Sequence, residues 1–370
     1  MAFLNSTHQI NLSCPINQLG YGVAGLNITK ALHELSHQVC LFTIGNIEVS
    51  ENYHDLLKEV INNSRTPDWK APSIKMWHQH DMAQFVGNGE KYGFPIFELD
   101  RFTDLELHHL HYLDNWMVTS EWAKSIIVEH VGKIRGEEYV KQHTHIVPLG
   151  VDRSIFKESM SHKKETIFYN CGKWEIRKGH DILVKAFEEA FTEDDDVELW
   201  MMCDNPFYPE EENFKWERLY RSSKLGDKVR IIPRQKTQED VYKIMSDTDC
   251  GIFPARAEGW NLELLEMMSC GKHVIATNYS SHTEFCNDDN CMLVDIEEKE
   301  DAVDGFWFKG QGQWASIKEK QISELAQHMR SVHEKKNNDQ LNINQAGVDT
   351  AKKFSWENSA MKIIEAIEKE

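Results

Sequence analysis

Two carboxylates eight residues apart, Glu258 and Glu266, lie in the run Phe253-Pro254-Ala255-Arg256-Ala257-Glu258-Gly259-Trp260-Asn261-Leu262, which continues as a helical stretch to Ser269. Glu258 falls in a strand-to-helix loop and Glu266 a turn or so into the helix, so the two need not touch. One can meet a sugar and the other a ribose, with the backbone N–H groups of Trp260, Asn261 and Leu262 aimed at phosphates between them. A second candidate is the loop 172–181, where Lys173, Arg177 and Lys178 follow a strand and precede a helix. Three cations at the C-terminal end of a parallel strand can offset the charge of a bound diphosphate.

Gly20-Tyr21-Gly22-Val23-Ala24-Gly25 is a literal G-x-G-x-x-G. It reads as a flexible loop whose amides approach a phosphate at a helix start, or as a tight strand-to-helix turn. Five residues separate it from the preceding strand, and no acidic residue ends the next one, which disfavours a nicotinamide dinucleotide. His78, His80 and Asp81 follow another strand and suit either a ligand-facing loop or ordinary loop hydrogen bonding; a catalytic zinc there is improbable. His108, His109 and His111 do not share one helix face. The acidic triplets 194–196 and 247–249 match the D-x-D of metal-dependent transferases but read as turns. Phe306, Trp307, Phe308 and Trp314 either line a cleft or pin a long loop to the core.

Short apolar runs alternate with helix-period segments throughout, which predicts an α/β fold with parallel sheets. In the first half the expected strands are 9–14, 39–43, 74–77, 95–99, 116–119 and 145–147, with helices at 23–35, 52–62, 104–112 and 121–131. Pro148-Leu149-Gly150 then punctuates the chain. The second series has strands at 166–171, 197–202, 229–232, 250–253, 273–276 and 291–294, and helices at 180–190, 210–224, 238–246 and 262–269. The tail carries helices near 341–352 and from Trp356.

The 370 residues include 41 Lys plus Arg and 60 Asp plus Glu, for a formal net charge of −19. Residues 1–150 hold 11 basic and 17 acidic side chains, so neither half is a basic tail. That field repels phosphate backbones and anionic lipid surfaces, and nucleic acid is not expected as a partner. The eight cysteines have no C-x-x-C spacing and read as reduced core thiols. The N-terminus lacks the pattern of a leader and no stretch is apolar enough to span a bilayer, so a cytoplasmic location is expected.

The 254–271 segment resembles the Glu-x7-Glu signature of family 4 retaining glycosyltransferases of the GT-B fold. The Gly run at 20–25, the 148–152 junction, the Lys-Gly loop, 274–277 before Glu284, and Phe354-Ser355-Trp356-Glu357 fall in the order of that family. The resemblance implies two Rossmann-like domains facing an interdomain cleft, with residues 1–150 for the acceptor, 151–352 for the nucleotide sugar, and 353–370 crossing back to the first domain. It implies transfer, with retention, from a UDP- or GDP-linked sugar to a hydroxyl of a saccharide or glycoconjugate, with no cofactor and no divalent metal. Lys173, usually Arg in the family, and Lys178 would hold the diphosphate. Glu258 would hold the sugar, His80 would face it, and Glu266 would hold the ribose. Gly20, Gly22, Arg177 and Gly259 to Leu262 would complete the donor site, with Pro233 and Arg234 beside the base. The alternatives are a nucleotide-sugar epimerase or hydrolase and a non-catalytic sugar-nucleotide binding protein.

Overall fold

A computed structural model describes residues 8–369, so the leader reading at residues 1–7 lies outside the described residues. The chain forms two compact units. The first contains β1 (Gln9–Cys14), α1 (Gly20–Glu34), β2 (Gln38–Thr43), α2 (His54–Asn63), β3 (Ser73–Lys75), β4 (Lys91–Gly93), α3 (Asp104–Leu110), β5 (Asn115–Val118), α4 (Glu121–Arg135), α5 (Glu137–Gln142) and β6 (Thr144–Ile146). Its six strands are parallel in the order β2-β1-β3-β4-β5-β6. Caps set the helix starts: Ser120 accepts from Ala123 N–H, and Thr103 and Glu106 form a capping box. Trp116, Val118, Leu110, Leu113 and Ile127 fill one core. The apolar residues 95–99 are not a strand: Pro95 has no N–H to give a ladder, and pairing falls instead at Lys91–Gly93.

The second unit contains β7 (Thr166–Gly172), α6 (His180–Ala190), β8 (Val197–Cys203), α7 (Glu210–Arg221), β9 (Val229–Ile231), α8 (Gln238–Ser246), β10 (Cys250–Phe253), α9 (Leu262–Ser269), β11 (His273–Thr277), β12 (Met292–Val294), β13 (Lys299–Val303), β14 (Lys309–Ala315), α10 (Glu319–Asn337) and α11 (Gln345–Lys353). The parallel order β12-β11-β10-β7-β8-β9 is that of a dinucleotide fold. Six of the seven residues of β7 are buried, as a strand covered on both faces requires. Phe168, Leu183, Phe187, Leu199, Ile252, Ile275 and Met329 form its core. The aromatic loop expected around 306–314 is the antiparallel hairpin β13–β14, and α10, absent from the sequence reading, packs its Ile322, Leu325, Met329 and Val332 stripe beside α6.

Residues Glu98–Asp100 fold with the second unit, where Asp100 takes Lys299 Nζ at 2.6 Å and Gln313 N–H at 2.8 Å. The final helix, α12 (Trp356–Glu368), returns to the first unit and packs against α1 and β6. Ser355 caps it through Asn358 N–H, Ser359 Oγ donates to Pro148 O at 2.6 Å, and Trp356, Ala360, Ile363 and Ile364 are buried.

Candidate active site

The strand order of the second unit reverses between β7 and β10, and the carboxyl ends of strands at such a point are where open α/β sheets bind ligands. β7 runs into the lysine loop and β10 into the Pro254–Glu258 loop. Gly179 joins them. At φ +74 it starts α6, and a Cβ there would sit 2.0 Å from Pro254 O, so only glycine allows the approach.

Arg177 ties the two loops together from a buried position. Its Nε and Nη2 donate to Glu175 Oε2 at 3.1 and 2.7 Å, and Nη1 donates to Ala257 O at 2.8 Å and Glu258 Oε2 at 2.7 Å. Lys178 Nζ donates to the other Glu258 oxygen at 2.8 Å, and Lys173 pairs with Glu175 at 2.8 Å. Arg256 fastens the same loops from outside, donating to Ile176 O and bidentately to Asp181. Burial alone would raise both carboxyls; the charges of Arg177 and Lys178 outweigh it at Glu258, and Arg177 and Lys173 at Glu175, holding both below the ordinary carboxylate value. His180 Nδ1 accepts the Glu175 N–H at 3.1 Å, which leaves Nε2–H facing Asn170 Oδ1 at 3.0 Å. Burial, and then Lys178, push that imidazole down to about 3, so it is neutral.

Beyond Glu258, whose N–H donates to Ser280 Oγ at 2.9 Å, the chain turns into α9 at Asn261. Asn261 has φ 91, its Oδ1 accepts from Leu264 N–H, and its Nδ2 donates to His282 Nε2 at 2.9 Å; His282 Nδ1 in turn faces Thr277 O at 3.0 Å. With Leu264 N–H taken by Asn261, the Leu262 and Glu263 amides of the first turn have no hydrogen-bond partner among the described residues. Glu266 is buried, and its carboxylate accepts no hydrogen bond from the described residues. Burial, with Glu263 nearby, pushes its carboxyl well up.

A sequence model for the family described as "Glycosyl transferases group 1" matches residues 151–348, more than half of the chain and the whole of this site. The chain belongs to that family. An uncharacterized glycosyltransferase of Methanocaldococcus jannaschii is 25% identical over 68% of this chain and 60% of its own length. A protein of Sulfolobus islandicus filamentous virus named as a glycosyltransferase is 21% identical over 75% of this chain and 72% of its own. Among solved structures, HepE of Anabaena with UDP-glucose superposes with a TM-score of 0.71 at 14% identity, covering 98% of this chain and 100% of HepE. A sucrose-phosphate synthase from Thermosynechococcus elongatus gives 0.69 at 15%, covering 98% of each. The fold is GT-B, two Rossmann-like domains with the last helix returning to the first.

Within this group 1 glycosyltransferase, the structure brings together Lys173, Arg177, Lys178, Glu258 and the start of α9, with Glu266 about one turn into that helix. Arg177 stands apart from the two lysines: four of its five N–H groups donate to Glu175, Ala257 and Glu258, so it positions these groups. The ring of Trp260 packs 4.8 Å from Phe285. Pro233 and Arg234 stand exposed after β9. In the first unit the glycine run is not a loop. Gly20 opens α1, and Gly22 packs so closely on Asn17 that a Cβ would lie 2.2 Å from its Oδ1. His80 is exposed in the turn after β3, stacked 5.3 Å from His78.

Glu175, His180, Ser280 and His282 were missed by the sequence reading; Glu175 alone had a signal, its place among the three cations. The acidic triplets are engaged elsewhere. Asp195 binds Arg330, Asp196 binds Lys164, and Asp249 binds Lys336 and Ile167 N–H. Among the described residues no three His, Cys, Asp or Glu side chains are grouped to hold a metal, no helix is long and apolar enough to cross a membrane, and all eight cysteines are buried and free.

Proposed function

We propose that this protein is a retaining glycosyltransferase of family 4 that moves a sugar from a nucleotide diphosphate sugar to a hydroxyl of a saccharide or glycoconjugate without a divalent metal. The observation that carries this reading is the buried Glu258 carboxylate, held ionised by Arg177 and Lys178, with the buried carboxyl of Glu266, which has no hydrogen-bond partner among the described residues, eight positions on in α9. Glu258 receives hydroxyls of the transferred sugar and Glu266 those of the ribose. As the bond between the anomeric carbon and the diphosphate oxygen breaks, negative charge grows on the departing group. Lys173, Lys178 and the Leu262 and Glu263 amides stabilise it, each lysine keeping two N–H donors beyond its carboxylate partner. His80, Gly20 and Gly22 keep their expected donor-side roles, and Pro233 and Arg234 theirs beside the base. The first unit is assigned to the acceptor, and the location is cytoplasmic.

HepE, crystallised with UDP-glucose, makes uridine nucleotides the first donors to try. A thermal-shift panel of UDP, GDP, ADP and their sugars identifies the donor, since a ligand at 100 times its Kd stabilises by about 2.7 kcal/mol. Turnover of that donor with and without EDTA, and the anomeric configuration of the product by NMR, test the rest. An inverted product, or loss of activity with EDTA restored by manganese, sinks the proposal.

A further inference from the structure

The hairpin β13–β14 ends in two exposed aromatics, Phe306 at 40% and Trp307 at 46%, which do not serve as its anchor; Trp314, buried, and Phe308 beside it at 5.4 Å do that. The tip is set before any ligand arrives. Asp304 Oδ1 accepts the N–H groups of Phe306, Trp307 and Phe308 at 2.7, 2.8 and 2.8 Å, and Gln311 Nε2 donates to Trp307 O at 3.1 Å. Facing the tip is the loop after β8. Trp307 lies edge-on to Phe207 at 6.4 Å, and Phe306 packs on Tyr208 at 4.6 Å. Phe207 is itself 52% exposed and carries Lys173 Nζ over its ring at 5.5 Å.

Four rings from two loops are therefore continuous with a lysine assigned to the diphosphate. Among the described residues, polar groups beside them lack partners: Asp304 Oδ2 is buried and accepts no hydrogen bond, and the Tyr208 hydroxyl makes none. Aromatic faces beside unused hydroxyl and carboxylate groups suit a pyranose, which offers C–H faces ringed by hydroxyls. Asp304 and Glu212, whose charges both act on Tyr208, make the rim acidic and disfavour an anionic lipid surface.

We propose that Phe207, Tyr208, Phe306 and Trp307 form an ancillary platform on the second unit that binds a neutral polysaccharide chain beside the nucleotide site, separate from the reacting acceptor hydroxyl assigned to the first unit. This rests on the glycosyltransferase reading. The test is retardation in native gels cast with dextran, glycogen, mannan or galactan, alongside calorimetric affinity for UDP and GDP. At least one polysaccharide retards the wild-type chain. Trp307→Ala and Phe306→Ala weaken that retardation at least tenfold, Trp307→Phe keeps most of it, and nucleotide affinity stays within twofold. No retardation of the wild type, or equal retardation of the alanine variants, overturns the platform. So does Trp307-dependent sedimentation with phosphatidylcholine or phosphatidylserine vesicles in place of retardation. Absence of nucleotide binding by the wild type fails the glycosyltransferase reading instead, so the two outcomes are separate.

Discussion

Lys178 donates to one oxygen of Glu258 and keeps two further N–H donors; under the proposed mechanism these meet a phosphate, and its charge is needed most when the glycosidic bond breaks. We expect Lys178→Ala to lower turnover about 100- to 1000-fold, the usual effect of losing a donor at a developing anion, with a smaller change in nucleotide affinity. In the proposed function the two carboxyl groups divide the ligand. Glu258→Gln should impair sugar transfer while UDP or GDP binding by calorimetry stays near wild type, whereas Glu266→Gln should weaken the bare nucleotide as well. The opposite split would reverse their roles. Lysines and glutamates after strand ends were legible because their types suit charge and hydroxyl recognition wherever the loop places them. Arg177 was not, since what decides its role is a carboxylate 81 positions away that no local pattern announces. Ser280 and His282 were hidden for the same reason.

The loop from Gly172 to Gly179 hangs on His180, whose unprotonated Nδ1 accepts the Glu175 N–H. Its folded value of about 3 lies below the ordinary 6.5, so the unfolded chain takes up the proton first. Stability from this group is complete above about pH 6.5 and declines as pH falls towards 3, each unit of separation carrying about 1.4 kcal/mol. Glu258, held below its ordinary 4.5, acts in the same direction only at lower pH. The melting temperature should therefore begin to fall between pH 7 and 5, before carboxylates titrate, and His180→Gln should flatten part of that slope; an unchanged slope removes His180 from the account. Elements with clean periodicity were legible in sequence: the strands Gln9–Cys14 and Cys250–Phe253 and the helices His180–Ala190, Gln238–Ser246 and Leu262–Ser269 match it end to end. The hairpin was not, because polar residues fill its strands, and α10 was not, because charges flank a narrow apolar stripe.

The last helix follows the second unit in sequence yet belongs to the first, where Trp356, Ala360, Ile363 and Ile364 are buried. Burying a large apolar side chain contributes roughly 1.5–3 kcal/mol, and whole domains are stable by only about 5–15 kcal/mol. A chain ending at Lys353 should therefore aggregate or melt well below the full-length protein in a calorimetric scan; an unchanged melting temperature would show that the helix is dispensable. The same placement of α12 orders events on the ribosome. When Gly150 has been made, the first unit still lacks a wall that arrives about 200 residues later, some 10–40 s at ordinary elongation rates. During that interval the α1 surface waits uncovered while the second unit, continuous from Val151 to Lys353 apart from three residues already made, can close first. The half synthesised first is thus the half completed last, and a chaperone that shields nascent apolar surface would be needed most at α1.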